Sequence, residues 1–188
     1  MGCKVFIDPG HGGSDPGAIN PRLALHESDL TLAISKAFEA EAAEDPRFEI
    51  KLARRADLYE SLKDRVAAAE AWKADLFLSF HINASENQAA QGFEVWTSEG
   101  DTLADPIATE IYNGLKAAMP DTPARADYDD GDPDKEENFY VLRFTSMPAV
   151  LAEFEFITND ERAAFLADPA NQALLARAVF NSIQYLAD

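Results

Sequence analysis

Two of the three histidines of this 188-residue chain, His11 and His81, each follow a short apolar run that reads as a buried strand. His11 lies in Ile7-Asp8-Pro9-Gly10-His11-Gly12-Gly13-Ser14-Asp15-Pro16-Gly17-Ala18, and His81 in Ser79-Phe80-His81-Ile82-Asn83-Ala84. Between them, Glu27 opens a helical pattern. Two imidazoles and one carboxylate suffice to hold a zinc ion and leave its fourth position to water. Zinc held in that way lowers the pKa of its water into the neutral range, so the chemistry to expect is hydrolysis. Each residue also has an ordinary alternative. A lone histidine in a glycine turn commonly faces solvent, a histidine ending a strand can be a satisfied core residue, and a first-turn carboxylate is favoured by the helix dipole.

Asp8 and Asp15 flank His11, and either is placed to accept the second ring proton of a liganding histidine. Asp15-Pro16 reads equally well as turn chemistry. His26-Glu27 invites comparison with the H-E-x-x-H zinc helix, but the fifth position is Leu30, so His26 is a neighbour and not a ligand. Hydrolysis also needs a proton carrier. Ala149 to Phe156 is an apolar strand interrupted by two acids, Glu153 and Glu155. A period of two sends both to the same side, and buried acids are rarely left unpaired, so this face is expected to meet the metal cleft.

The segments IDPGHGGSDPGA, HESDLTLAI, LFLSFHINA, GFEVW and MPAVLAEFEFITN occur in that order from residue 5 to about residue 160. Together they resemble the zinc-dependent N-acetylmuramoyl-L-alanine amidases of the type 3 catalytic-domain family. The resemblance implies a peptidoglycan hydrolase that cuts the amide between N-acetylmuramic acid and the first L-alanine of the stem peptide. It implies one zinc per chain on His11, Glu27 and His81, with Glu153 as the general base and acid. Glu155 stands where the family usually has glycine, which leaves a second acid at the site, like-charge coupling to Glu153, or different local packing. Asn83 is expected to hydrogen-bond substrate or to order its own turn. Arg143 lies in Tyr140-Val141-Leu142-Arg143, also similar to the family, and is expected either to bind a stem carboxylate or to form a surface ion pair. Two rival readings are a zinc carboxypeptidase, which needs a basic pocket for a free carboxyl terminus, and a non-catalytic wall-binding module, in which a ligand or the acid should be missing.

Strand signals at Cys3 to Asp8, Phe48 to Ala53, Asp75 to Phe80, Gly92 to Thr97 and Pro148 to Phe156 alternate with helical spacing. The helices are expected from Leu30 with Ser28 or Asp29 as N-cap, along Leu58, Leu62, Val66, Ala69 and Trp72, from about Asp101 to Ala118, from Asp160 to Leu166 and from Pro169 to Leu186. This predicts a single α/β domain over residues 1–188, with a twisted, mostly parallel sheet of about six strands flanked by helices on both faces. In such sheets sites gather beyond the carboxyl ends of the strands, where His11 and His81 are expected. The stretch Met119 to Asn138 is irregular and acidic. Read as an EF-hand it fails, because Gly131 at the sixth position puts Ala126 first and Tyr128 third. A lid beside the cleft is the expectation preferred over a merely solvated loop.

The formal charge of −18 makes nucleic acid and anionic lipid poor partners and gives no attraction to peptidoglycan, so wall recognition should come from the cleft. Cys3 is the sole cysteine, which excludes an internal disulfide and a thiolate cluster; it should be a packed, inert thiol. No apolar run is long enough to span a bilayer. No export signal precedes the first strand, so action at the wall implies trimming, phage-type release or cytoplasmic recycling. A monomer is expected.

Overall fold

Short apolar, β-branched and aromatic runs separated by amphipathic helices build the following order in the computed structural model, which describes residues 2–188. It runs β1 (Cys3–Pro9), β2 (Ile19–Asn20), β3 (Leu25–His26), α1 (Glu27–Ala42), β4 (Phe48–Leu52), α2 (Leu62–Trp72), β5 (Leu76–Asn83) and β6 (Glu94–Thr97). Then follow α3 (Asp105–Ala118), β7 (Lys135–Glu136), α4 (Tyr140–Arg143), β8 (Ala149–Phe156), α5 (Asp160–Ala167), α6 (Pro169–Ile183) and a closing 3-10 turn. Six strands form one sheet in the order β4-β1-β5-β8-β6-β7. The first four run parallel, β6 is antiparallel to β8, and β7 is parallel to β6. β2 and β3 form a separate small hairpin. The single α/β domain expected from the sequence is therefore observed.

Alternation along the strands feeds two cores. Val5, Ile7, Leu78, Phe80, Val150 and Phe154 point to the face covered by α1, α3 and α6. Phe6, Phe77 and Leu151 point to the other face, against Val66 and Ala69 of α2 and Val141 and Leu142 of α4. Cys3 is partly buried at the edge of the larger core, and burial with Asp75 nearby pushes its thiol up, away from reactivity. Among the described residues no helix is long and apolar enough to cross a membrane.

Four expectations are corrected. The helix α1 starts at Glu27 with His26 as N-cap residue, so Ser28 and Asp29 lie inside its first turn. The second helix starts after Ser61, whose hydroxyl caps Asp64 N; Leu58 and Leu62 are exposed, not core. Thr102 and Asp105 close a turn that delays α3 and leaves Leu103 79% exposed. The stretch 119–138 is not a free lid. Ala124 bridges Phe93, β7 pairs with Trp96 and Thr97, and the Thr97 hydroxyl donates to the buried Asp134, so this segment extends the sheet edge.

Candidate metal centre and active site

His11 lies two residues beyond the end of β1, whereas His81 is inside β5, not past its end. Glu27 is the first residue of α1 and is buried. The His11 backbone has φ 61°, a left-handed conformation that costs an L-residue about 1–2 kcal/mol. Glycine makes the approach possible. A Cβ on Gly10 would collide with the His81 ring, and one on Gly17 would sit 2.6 Å from Glu27 Oε2.

The result is a convergence of donors. His11 Nε2 lies 3.1 Å from Glu27 Oε1, and His81 Nδ1 lies 3.0 Å from the same oxygen. Among the described residues this is the one group of three or more such side chains whose ligand atoms all lie within 4.8 Å of one another. The other nitrogen of His11, Nδ1, is 2.9 Å from Asp15 Oδ2. Asp15 is thus the partner that fixes which His11 nitrogen faces the centre. Asp8 does something else: it is buried, paired with Arg65 and accepts from the Ser79 hydroxyl at 2.9 Å. The exposed His26 stands outside the group, near Asp29.

The electrostatics follow from this packing. Burial disfavours charge on His11, but hydrogen bonds to Glu27 and Asp15 outweigh it and raise its pKa to about 9. Burial likewise opposes ionisation of Glu27, yet hydrogen bonds from both histidines hold its carboxyl well below the usual range. A buried carboxylate that keeps its charge between two imidazoles is a cation site by chemistry. Two nitrogen donors and one carboxylate oxygen fit zinc.

Glu153 stands directly opposite His81 in the β5–β8 register. Its Oε2 is buried with no hydrogen-bond partner. Burial, then the nearby carboxylates Glu27 and Glu94, raise its pKa to about 7 against the opposing pull of His81 and His11. A carboxyl that exchanges its proton near neutrality beside an open donor group is equipped for proton transfer.

Glu155 does not share that environment. The register slips between His81 and Asn83, which face Glu153 and Phe156, so β8 carries one extra residue there. Glu155 sits in this bulge at φ 68°, fully buried. Its carboxylate accepts from Gly92 N at 2.8 Å and Thr122 Oγ1 at 3.2 Å, and Arg162 of α5 lies 3.7 Å away. The expectation that both acids point into one cleft is overturned, because the bulge breaks the period of two. The left-handed φ also explains why glycine suits this position.

Asn83 ends β5 and turns its Oδ1 onto Ala84 N at 2.9 Å, ordering the turn. Arg143 ends α4, is exposed, and lies beside Phe144; the helix turns Val141, not Arg143, toward the metal cleft.

Three features of the site escape sequence reasoning. Arg54, buried just past β4, donates to the carbonyls of Pro9, Gly10 and Ser28 at 3.1, 2.9 and 2.7 Å, and so ties the His11 turn to the head of α1. Arg65 donates to the carbonyls of Pro9 and His11, both at 2.7 Å, besides pairing with Asp8. The third is Glu94, buried opposite Glu153 on β6 and flanked by Arg125 and Lys135. A signal existed for Arg65, which falls on the apolar helix face with Val66 and Ala69.

Comparison with known proteins follows the same lines. The profile of the N-acetylmuramoyl-L-alanine amidase family matches residues 5–185. The sporulation-specific N-acetylmuramoyl-L-alanine amidase of Bacillus subtilis (strain 168) is 36% identical over 187 residues, covering 96% of this chain and 67% of its own length. The catalytic domain of CwlV, an amidase from Bacillus (Paenibacillus) polymyxa, superposes with TM-score 0.88 at 31% identity, covering 98% of each chain. An N-acetylmuramoyl-L-alanine amidase from Clostridium difficile 630 gives TM-score 0.90 at 31% identity, covering 98% of this chain and 97% of its own. With the family profile matching residues 5–185 and the sheet shared with solved amidases, this chain belongs to the N-acetylmuramoyl-L-alanine amidase family, hydrolases of a carbon–nitrogen amide bond.

Proposed function

We propose that the chain hydrolyses the amide between the lactyl carbonyl of N-acetylmuramic acid and the amino group of L-alanine in peptidoglycan, using one zinc per chain. The observation that carries this reading is the convergence of His11 Nε2, Glu27 Oε1 and His81 Nδ1 beside the unpartnered Glu153 Oε2. Zinc, when bound by these three, supplies a water of lowered pKa and polarises the scissile carbonyl. Glu153 takes a proton from the attacking water and delivers it to the nitrogen of L-alanine as the carbon–nitrogen bond breaks. Asp15 holds His11, while Arg54 and Arg65 hold the turn that carries it. Asn83 and Arg143 are assigned to the periphery of substrate binding, and the chain to work on the wall as a monomer. Family membership disfavours both rivals, the carboxypeptidase and the non-catalytic module.

The test is Glu153→Gln in the zinc-loaded protein. The variant keeps the shape and removes the titrating group. Release of new amino-terminal alanine from purified wall should fall by about a hundredfold or more, the scale of general acid–base assistance, at an unchanged zinc content near one per chain. A zinc-replete Glu153→Gln protein of wild-type rate would overturn the assignment.

A further inference from the structure

On the cleft face of the sheet the side chains form a row. His81 of β5 stands opposite Glu153 of β8, and Glu153 opposite Glu94 of β6. Because the bulge absorbs Glu155, the next β8 residue on this face is Phe156, which faces Asn83. Glu94 is buried, and two cations compensate it: Arg125 donates its Nε–H to Oε1, and Lys135 Nζ lies 3.1 Å from Oε2. The Arg125 guanidinium also lies over the Phe156 ring, 5.2 Å from its centroid. Arg125 therefore sits on two neighbours of Glu153 on this face, Glu94 across the sheet and Phe156 along the strand.

Arg125 is held but not consumed. Its Nε is the atom engaged with Glu94; among the described residues neither Nη finds an acceptor, and the side chain is 44% exposed. A guanidinium fixed by Nε and braced on an aromatic face presents its Nη pair as a preorganised fork, which matches a carboxylate. We propose that Arg125 is a carboxylate-binding subsite flanking Glu153, that it takes an acidic residue of the stem peptide, and that Glu155 is its positioning residue. This rests on the amidase reading above.

Glu155 enters through the backbone. Its carboxylate binds Gly92, at the entrance to β6 and Glu94, and Thr122, at the entrance to Arg125. Between those anchors Phe93 N donates to Pro123 O at 3.2 Å and Arg125 N donates to Phe93 O at 3.0 Å. One carboxylate thus ties together the two chain segments that carry the fork and Glu94, the carboxylate that fixes its Nε. This gives Glu155 a role at a backbone position where glycine would be unstrained.

Two soluble muramoyl peptides test this, differing only in whether the side carboxyl of the residue after L-alanine is free or amidated. For the zinc-loaded wild type, kcat/KM should favour the free acid by about tenfold, the scale of one charge-assisted pair. Arg125→Gln should bring that ratio to about one through KM for the acid, and Arg125→Lys, which keeps Glu94 compensated, should be intermediate. Glu155→Gly should lower the ratio in the same direction, and Glu155→Gln, which keeps an acceptor, should recover it. If Arg125→Gln does not fold, a wild-type ratio in Arg125→Lys overturns the subsite; otherwise a wild-type ratio in zinc-replete Arg125→Gln does. If the wild type cleaves neither peptide, the amidase reading fails, and the subsite is then judged by the ratio of equilibrium affinities for the two peptides under the same criterion.

Discussion

At the scale of single residues, the donor group depends on side chains that lie outside it. Asp15 accepts from His11 Nδ1 at 2.9 Å and thereby leaves Nε2 facing Glu27 and His81. Removing such a partner costs about 10–100-fold in metal affinity. Asp15→Ala should weaken zinc binding by that factor in a chelator competition, with the fold intact; an unchanged affinity would mean that the glycine turn alone orients the ring. Asp134 illustrates a different use of burial. Its carboxyl is pushed up to about 7 by burial and by Asp132, against the hydrogen bond from Thr97. The folded protein thus holds a proton that the unfolded chain releases near 3.8, and the associated stability is complete below that value and lost as pH rises through about 7. Asp134→Asn has no such proton to lose. Its urea midpoint relative to wild type should climb between about pH 4.5 and pH 8, and parallel pH profiles would refute the linkage.

At the scale of elements, α2 does more than cover the sheet. Arg65 leaves its apolar face to bind Asp8 and the carbonyls of Pro9 and His11, so the helix clamps the carboxyl end of β1. Arg65→Ala strands a buried carboxylate, which costs about 3–5 kcal/mol. That loss should appear in denaturant unfolding even in zinc-free protein; a loss below about 1 kcal/mol would show that Asp8 does not depend on Arg65 for its compensation. The strands and major helices were legible because their apolar periods are local. So was the grouping of His11, Glu27, His81 and Glu153, which sit in compact motifs. Arg54 and Arg125 were not legible, because nothing near them in sequence shows which carbonyls or carboxylate they will meet. Glu155 was misread for a sharper reason. Counting by twos assumes that no residue is inserted, and a bulge is an insertion visible only against the partner strand.

At the scale of the whole molecule, 34 acidic residues oppose 16 basic ones, and several of the basic ones are spent on internal carboxylates. The remaining surface repels itself, and screening should relieve it. Raising sodium chloride from about 20 to about 300 mM should raise the melting temperature by several degrees, given a Debye length that falls through about 10 Å near 0.1 M. A flat or falling trend would show that the charges are already locally paired. The strand order carries one more implication. β8 is the last strand to be synthesised, yet it lies between β5 and β6. While a ribosome is still making the chain, His11, Glu27 and His81 emerge before β6, α3 and β7, and Glu153 emerges only after them. Such long-range pairing is slow, and β6 with β7 has no seat in the sheet until it happens. A chain that stops short of β8 therefore holds His11, Glu27 and His81 but lacks both Glu153 and the strand that joins β6 to β5.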